Sequence, residues 1–439
     1  MKAFTILFTC ALGLLLAPSA SAQPRLLGEQ PVGFGNNGFH IYSATLSAGY
    51  FSSALIGGNT VPGAGGDYQG WASITSGYSF SGTKGVFSMD YTPEYTDRVR
   101  YSNLRSFNQN LSLNWSRRLG TKWAWHLSAA GAEASASTYL FTDGGISSVV
   151  SSPGTTDVLT GGLSSGSTVA LTPSQLIVFG GRVITGGGST GLTYHPTTRL
   201  QFTFDANASD SQTRYDSTGI APLVPRTFTG TGAVSMGYSL SPRTVIGTRI
   251  SYTNTQSSVT KFDFGVVDGF IDQKFGTHWF ASASAGPALI RLAILGGRSQ
   301  VLSYNANAQF GYRVRSSSFA ASFRRMVGDS YGFGAGANQT YDGAWDQRLR
   351  SSGWVLRATG GRQEFTGGGF GGLKTNYAGG GISKAINRQL SVGLEYSFLH
   401  YAGSVYRQSD FQVGRLNLTW IPFLRDTPLL TNDPKQAQP

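Results

Sequence analysis

Apolar and polar residues alternate along this chain with a period of two. In Arg199 to Ser209 one parity holds Leu200, Phe202, Phe204, Ala206 and Ala208, and the other holds Gln201, Thr203, Asp205, Asn207 and Ser209. Successive side chains of a strand point to opposite faces, so this segment has one apolar and one polar face. The split recurs. Leu111, Leu113 and Trp115 oppose Ser112, Asn114 and Ser116, and Val234, Met236, Tyr238 and Leu240 oppose Ala233, Ser235, Gly237 and Ser239. Tyr304, Ala306, Ala308, Phe310 and Tyr312 oppose Ser303, Asn305, Asn307, Gln309 and Arg313; Leu390, Val392, Leu394, Tyr396 and Phe398 oppose Ser391, Gly393, Glu395 and Ser397.

Tight polar turns punctuate these segments, around Gly82, Gly120, Thr197, Pro242, Gly276, Ser317, Ser352 and Ile386. Aromatics flank them: Tyr78, Phe80, Trp115, Trp123, Tyr194, Tyr238, Trp279, Tyr312, Phe319 and Trp354. Longer connections rich in Gly, Ser, Thr, Asn and Asp join the other strand ends, as in Ile56 to Asp67, Tyr215 to Arg226 and Val327 to Gln339. Short turns at one end, long loops at the other and rings beside the turns are the asymmetry of an outer-membrane barrel. The pattern predicts an all-β fold, a closed antiparallel transmembrane β-barrel of about 18 strands, with 16 as the alternative. Its long loops face outward and both termini lie on the periplasmic side. Phe411 and Val413 fall out of step with Leu416, Leu418 and Trp420, which predicts a bulge at Gly414.

Composition sharpens this picture. Only 13% of the 439 residues are charged, against about 25% in an average soluble protein. Apolar content is 40%, so the charges are replaced by Gly, Ser, Thr, Asn and Gln rather than by grease. Beyond the N-terminus no apolar run approaches the roughly 18 residues of a spanning helix, so a membrane face must be spread over alternate positions. The net charge of +12 comes from Arg residues scattered singly, without the basic, aromatic-interleaved patch that nucleic-acid binding needs.

The N-terminus reads as an export address. Lys2 precedes an apolar run from Ala3 to Ala17, Pro18 breaks it, and Ala20-Ser21-Ala22 offers a cleavage site. Cys10, the chain's single cysteine, lies within the removed part, leaving no thiol for a disulfide or metal site. The expected organisation is a signal peptide over 1–22, a periplasmic segment over 23–39, a barrel over 40–423 and a polar tail over 424–439.

Two segments carry a family resemblance: Leu171-Thr172-Pro173-Ser174-Gln175-Leu176-Ile177-Val178-Phe179-Gly180-Gly181-Arg182-Val183 and Ser284-Ala285-Gly286-Pro287. On these the chain resembles the large, porin-like outer-membrane β-barrels of Gram-negative bacteria, within a subgroup sharing those motifs. The motifs carry no chemistry of their own. The resemblance implies that Leu140 to Val183, the third outward loop, folds into the barrel and narrows it, with Thr172, Pro173, Ser174 and Gln175 as constriction candidates. It also makes a homo-oligomer an expected assembly. Many such barrels end on an aromatic residue, whereas here Trp420 and Phe423 precede a polar tail ending at Pro439.

Candidate chemistry concentrates on the polar parity. Arg249, Arg313, Arg324, Arg348, Arg357 and Arg415 lie there against Asp90, Asp205, Asp346 and Glu395. Lining a lumen, they would bias passage toward anions; set near turns, they would only contact phosphate headgroups. Gly186, Gly188 and Gly191, and again Gly367, Gly369 and Gly372, fit G-x-G-x-x-G but lack the strand–helix context of a dinucleotide site, and read as loops or strand ends. His40, His126, His195, His278 and His400 show no paired spacing and no H-E-x-x-H or G-x-S-x-G motif. No enzyme, cofactor or metal is expected. The expected function is a passive diffusion channel for small polar solutes, anionic ones included, embedded among outer-membrane lipid and lipopolysaccharide. A non-conducting barrel whose loops bind a partner or exported polysaccharide is the alternative. A secreted soluble β-protein is the third reading.

Overall fold

The computed structural model describes residues 38–52, 55–56, 59–60, 66–82, 84–100, 105–135, 181–215, 226–257, 260–294, 297–314, 316–329, 335–349, 353–367, 373–387, 389–402 and 409–422. The expected signal peptide with Cys10, the constriction candidates Thr172, Pro173, Ser174 and Gln175, and the polar tail lie outside them.

The described chain is all-β, and 18 strands close into one antiparallel barrel. They are β1 (Gly38–Phe51), β2 (Asp67–Gly82), β3 (Gly85–Arg98), β4 (Ser106–Arg118), β5 (Trp123–Ser135), β6 (Gly181–Tyr194), β7 (Leu200–Tyr215), β8 (Thr227–Ser241) and β9 (Thr244–Ser257). They continue as β10 (Lys261–Phe275), β11 (Trp279–Ile294), β12 (Gly297–Arg313), β13 (Ser317–Asp329), β14 (Ala335–Leu349), β15 (Trp354–Gly367), β16 (Leu373–Ala385), β17 (Leu390–Ala402) and β18 (Ser409–Trp420). Every strand pairs with its sequence neighbours, and β1 pairs with β18 from Ala44–Trp420 to Phe51–Val413, which seals the sheet. Closure is what hydrocarbon demands, since an unpaired edge would leave amides with no water to bond.

The turns predicted from sequence all fall at one end of the barrel, between β2 and β3, β4 and β5, and so on to β16 and β17. Gly276 and Gly353 sit in two of them at φ 66° and 68°, a conformation that glycine adopts without a steric penalty. At the opposite, loop end the connections vary more. The one after β5 spans 136–180, whereas β11 and β12 are separated only by 295–296. Val327 to Gln339 is shorter as a loop than the sequence suggested, because β13 runs to Asp329 and β14 starts at Ala335. A small ladder, Leu55–Thr60 and Ile56–Asn59, lies within the first connection.

Outward residues are apolar and exposed, as Val234, Met236, Tyr238 and Leu240 of β8 illustrate. Near the turns Trp123 stacks on Tyr194 at 4.2 Å between centroids, and Trp279 lies 4.1 Å from Tyr312. A second set of rings, Tyr50, Tyr68, Tyr95, Phe107, Phe228, Tyr252, Tyr304 and Tyr341, is exposed on the outer face toward the loop end. Phe228 and Tyr238 of β8 are separated by about 33 Å of strand at ~3.3 Å per residue, or about 25 Å along the axis at a tilt of roughly 40°. That matches the apolar band of an outer-membrane barrel.

Two local expectations are corrected. The β17–β18 register is uninterrupted from Leu390–Trp420 to Tyr401–Ser409, so Gly414 makes no bulge. Val413 is simply an apolar residue on the inner face, buried there beside polar neighbours. Register shifts lie instead in β1, between Ile41 and Ser43, where Tyr42 is the extra residue, and at the turn end of β8, between Ser239 and Ser241. The Gly186, Gly188 and Gly191 run is neither loop nor strand end but lies inside β6, paired on both sides. Gly367 closes β15, and Gly369 and Gly372 fall outside the described residues.

Candidate functional site: the inner wall

The ladder register decides which side chains share the inner face, because directly opposed residues point the same way. One row of opposed residues crosses the wall without a break. It runs Arg313, Ser318, Asp346, Arg357, Gly381, Glu395, Arg415, Gly49, Gln69 and Arg98, one from each strand from β12 through β18 to β3. It begins beside the turns at Arg313 and ends at the loop end of β3, since barrel strands are tilted and staggered. Guanidinium and carboxylate alternate along most of it. Arg357 Nε donates to Asp346 Oδ1 at 2.8 Å, and the Arg415 guanidinium lies over the Trp71 ring at 4.6 Å.

The remaining candidates occupy the same face. Arg249 is opposite Asp268, Arg324 opposite Asn307 and Thr340, and Arg348 opposite Val355 near the turns. Asp90 is opposite Gly77 and Ser112, and Asp205 opposite Gly191 and Ala233. The register also places there Asp67, Glu94, Asp268, Asp272 and Asp342, and with them Arg98, none of which sequence reasoning singled out. Parity along each strand could have found them. With them the inner face is closer to charge balance than the scattered Arg residues suggested.

Glycine shapes this surface. On a concave wall, side chains from strands two apart converge, and a Cβ between them would be in the way. His126 Nε2 approaches Asp205 Oδ1 at 3.5 Å across Gly191, where a Cβ would strike both. The Tyr377 hydroxyl donates to Asp342 across Gly361, and Ser322 Oγ donates to the other oxygen of Asp342 at 3.4 Å. Tyr42 and Asp90 overhang Gly77, where a Cβ would lie 2.8 Å and 2.6 Å from them. Trp71 reaches across Gly49 toward Arg415. Glycine ordinarily weakens a strand; here it admits a close approach.

Neutral polar contacts fill the rest: Thr231 and Thr253 share a hydrogen bond of 2.8 Å, and Thr229 and Thr255 one of 3.3 Å. Toward the loop end the inner wall is covered, with Asp67, Gln69, Thr96, Arg98, Thr253, Thr255 and Phe262 all buried. Among the described residues no group of three or more His, Cys, Asp or Glu converges to hold a metal ion.

The barrel is similar to solved outer-membrane porins. The outer membrane protein OpdK from Pseudomonas aeruginosa aligns with 87% of this chain and 97% of its own, at 10% identity and a TM-score of 0.43. A BenF-like porin from Pseudomonas fluorescens Pf-5 aligns over the same shares at 11% identity and a TM-score of 0.44. OccAB4 from Acinetobacter baumannii does so at 10% identity and 0.41. No protein-family model matches the chain, and no curated protein matches it in sequence.

Proposed function

We propose that this protein is a porin-like passive diffusion channel of the bacterial outer membrane, carrying small polar solutes. The observation that carries this reading is the pairing of two faces on one closed sheet. The outer face is apolar between two belts of rings, and the inner face holds an alternating row of guanidinium and carboxylate groups from one end toward the other. Such a row lets a polar solute exchange water for fixed charges step by step, without a deep binding minimum that would trap it. The inner face as a whole is close to charge balance, so selectivity is weak, and the row itself, with four Arg against Asp346 and Glu395, tilts the preference toward anions. The short turns face the periplasm. Outer-membrane lipid and lipopolysaccharide surround the wall, and export by a cleaved signal peptide brings the chain there. The protein carries out no covalent chemistry.

Burial of the inner wall at the loop end favours a second reading, a barrel obstructed there that presents its loops to a partner or polysaccharide. Conductance of purified protein in planar bilayers separates the two. Stable channels with mild anion preference are expected of the first, and a folded, heat-modifiable barrel without conductance would leave only the second.

A further inference from the structure

One part of the wall is built differently from the rest. β12 pairs with β11 along its whole length, from Trp279–Tyr312 to Ile294–Gly297. With β13 it pairs only from Arg313–Ser318 to Ala306–Arg325. Beyond that point Leu302 to Asn305 and Met326 to Asp329 make no ladder pairs with each other, although β13 stays paired to β14 as far as Asp329–Ala335. The two strands part, and Val327 of β13 and Ala335 of β14 lie inside. Val327 has outward parity but is only 1% exposed, because it packs on Val266, Ala288 and Ile290 of the inner face of β10 and β11. Ala335 joins it there, as do Phe264 and Leu292. Met326, of inward parity, is left exposed toward the lumen.

Side chains close this seam where a ladder closes every other. The Val327 amide donates to Asn305 Oδ1 at 2.9 Å, and Arg325 Nη1 donates to the Tyr304 carbonyl at 2.5 Å and to Ser303 Oγ at 3.2 Å. The Arg325 guanidinium also lies 3.9 Å from the centre of the Tyr304 ring. Two side chains that bond across a slot are released without unzipping a sheet, so this is where the wall parts at least cost. The slot is also apolar on both sides. Within the lumen Phe264, Val266, Ile290 and Leu292 cluster on neighbouring strands, whereas inward apolar residues such as Trp71 and Val413 stand among polar neighbours; outside, Leu302 is 75% exposed at the free edge of β12.

We infer that the β12–β13 seam is a lateral portal for small uncharged molecules with an apolar body, which pass between the lumen and the outer leaflet through the wall. The molecule displaces Val327 from the Val266–Ile290 patch and moves along Val301 and Leu302 into hydrocarbon, never crossing the charged row. The inference rests on the barrel spanning the membrane, not on conduction along its axis.

The test joins the two sides of the seam with the substitutions Asn305→Cys and Val327→Cys in the full chain, expressed in a Gram-negative host whose lipopolysaccharide slows direct entry of apolar dyes. Uptake of phenylnaphthylamine, an uncharged fluorescent dye, is measured beside influx of a small sugar. The oxidised pair should lower dye uptake several-fold, to that of cells lacking the protein, with sugar influx unchanged and dye uptake restored by reductant. Equal dye uptake in oxidised and reduced cells would overturn the portal, as would parallel loss of dye and sugar. Ile290→Asp, which sets a carboxylate in the slot without requiring a disulfide, should also suppress dye uptake alone; dye uptake at the parental level with a folded barrel would count against the inference.

Discussion

Arg357 donates through Nε to Asp346 Oδ1 at 2.8 Å, directly across the β14–β15 ladder, with both side chains mostly shielded from solvent. The two groups face each other on the row that climbs the inner wall. Removing the guanidinium leaves the shielded Asp346 carboxylate without this counterion. Arg357→Ala should therefore lower the free energy of unfolding by about 1–3 kcal/mol, and Asp346→Ala combined with it should recover part of the loss. A double-mutant cycle by urea unfolding in lipid vesicles checks this.

The same row should set what little charge selectivity the channel has. Arg415→Gln and Arg357→Gln should each move the cation-to-anion permeability ratio toward cations, on the order of two-fold. Glu395→Gln should move it toward anions. Reversal potentials in a salt gradient read the sign directly, and three variants without effect would mean that permeating ions do not pass this row.

Gly191 lies under the approach of His126 to Asp205, and a methyl group there would overlap both. Gly191→Ala should cost about 1–3 kcal/mol through overpacking. Gly232, on the outer face of β8 with nothing within 4 Å of an added Cβ, is the control and should tolerate alanine. Unfolding midpoints of the two variants side by side make the comparison.

Much of the fold is legible in the sequence because its two signals are local. Alternation over Leu200 to Ser209 needs only neighbouring residues, and a turn such as Phe275-Gly276-Thr277 announces itself by composition. Strand number, closure and the faces of Arg313, Arg357 and Glu395 follow from these. The assembly of those residues into one row does not, since it depends on register across many strands and on the stagger of a closed sheet. Gly191 looked like a loop glycine because its reason for being glycine, the approach of His126 to Asp205, comes from strands on either side. Val413 suggested a bulge because an apolar side chain on the inner wall breaks the simple pattern, while the real bulge at Tyr42 leaves little trace in residue type. The parting of β12 from β13 is equally hidden: Val327 has outward parity, and only the tertiary structure turns it in.

Lipid contact makes the outer face intolerant of charge. Val234→Lys, near the middle of β8, should destabilise the barrel by about 2–4 kcal/mol, whereas Ser235→Lys on the inner face should cost far less. Refolding titrations into phosphatidylcholine vesicles give both values.

The central claim, that hydrocarbon touches one parity of residues and an aqueous interior the other, is tested most directly by spin labels at Met236 and Ser235 in membranes. Collision with oxygen should dominate for the label at Met236, and collision with a water-soluble nickel chelate for the label at Ser235. The reverse order, or two labels equally accessible to the chelate, would contradict the barrel as a membrane-spanning wall.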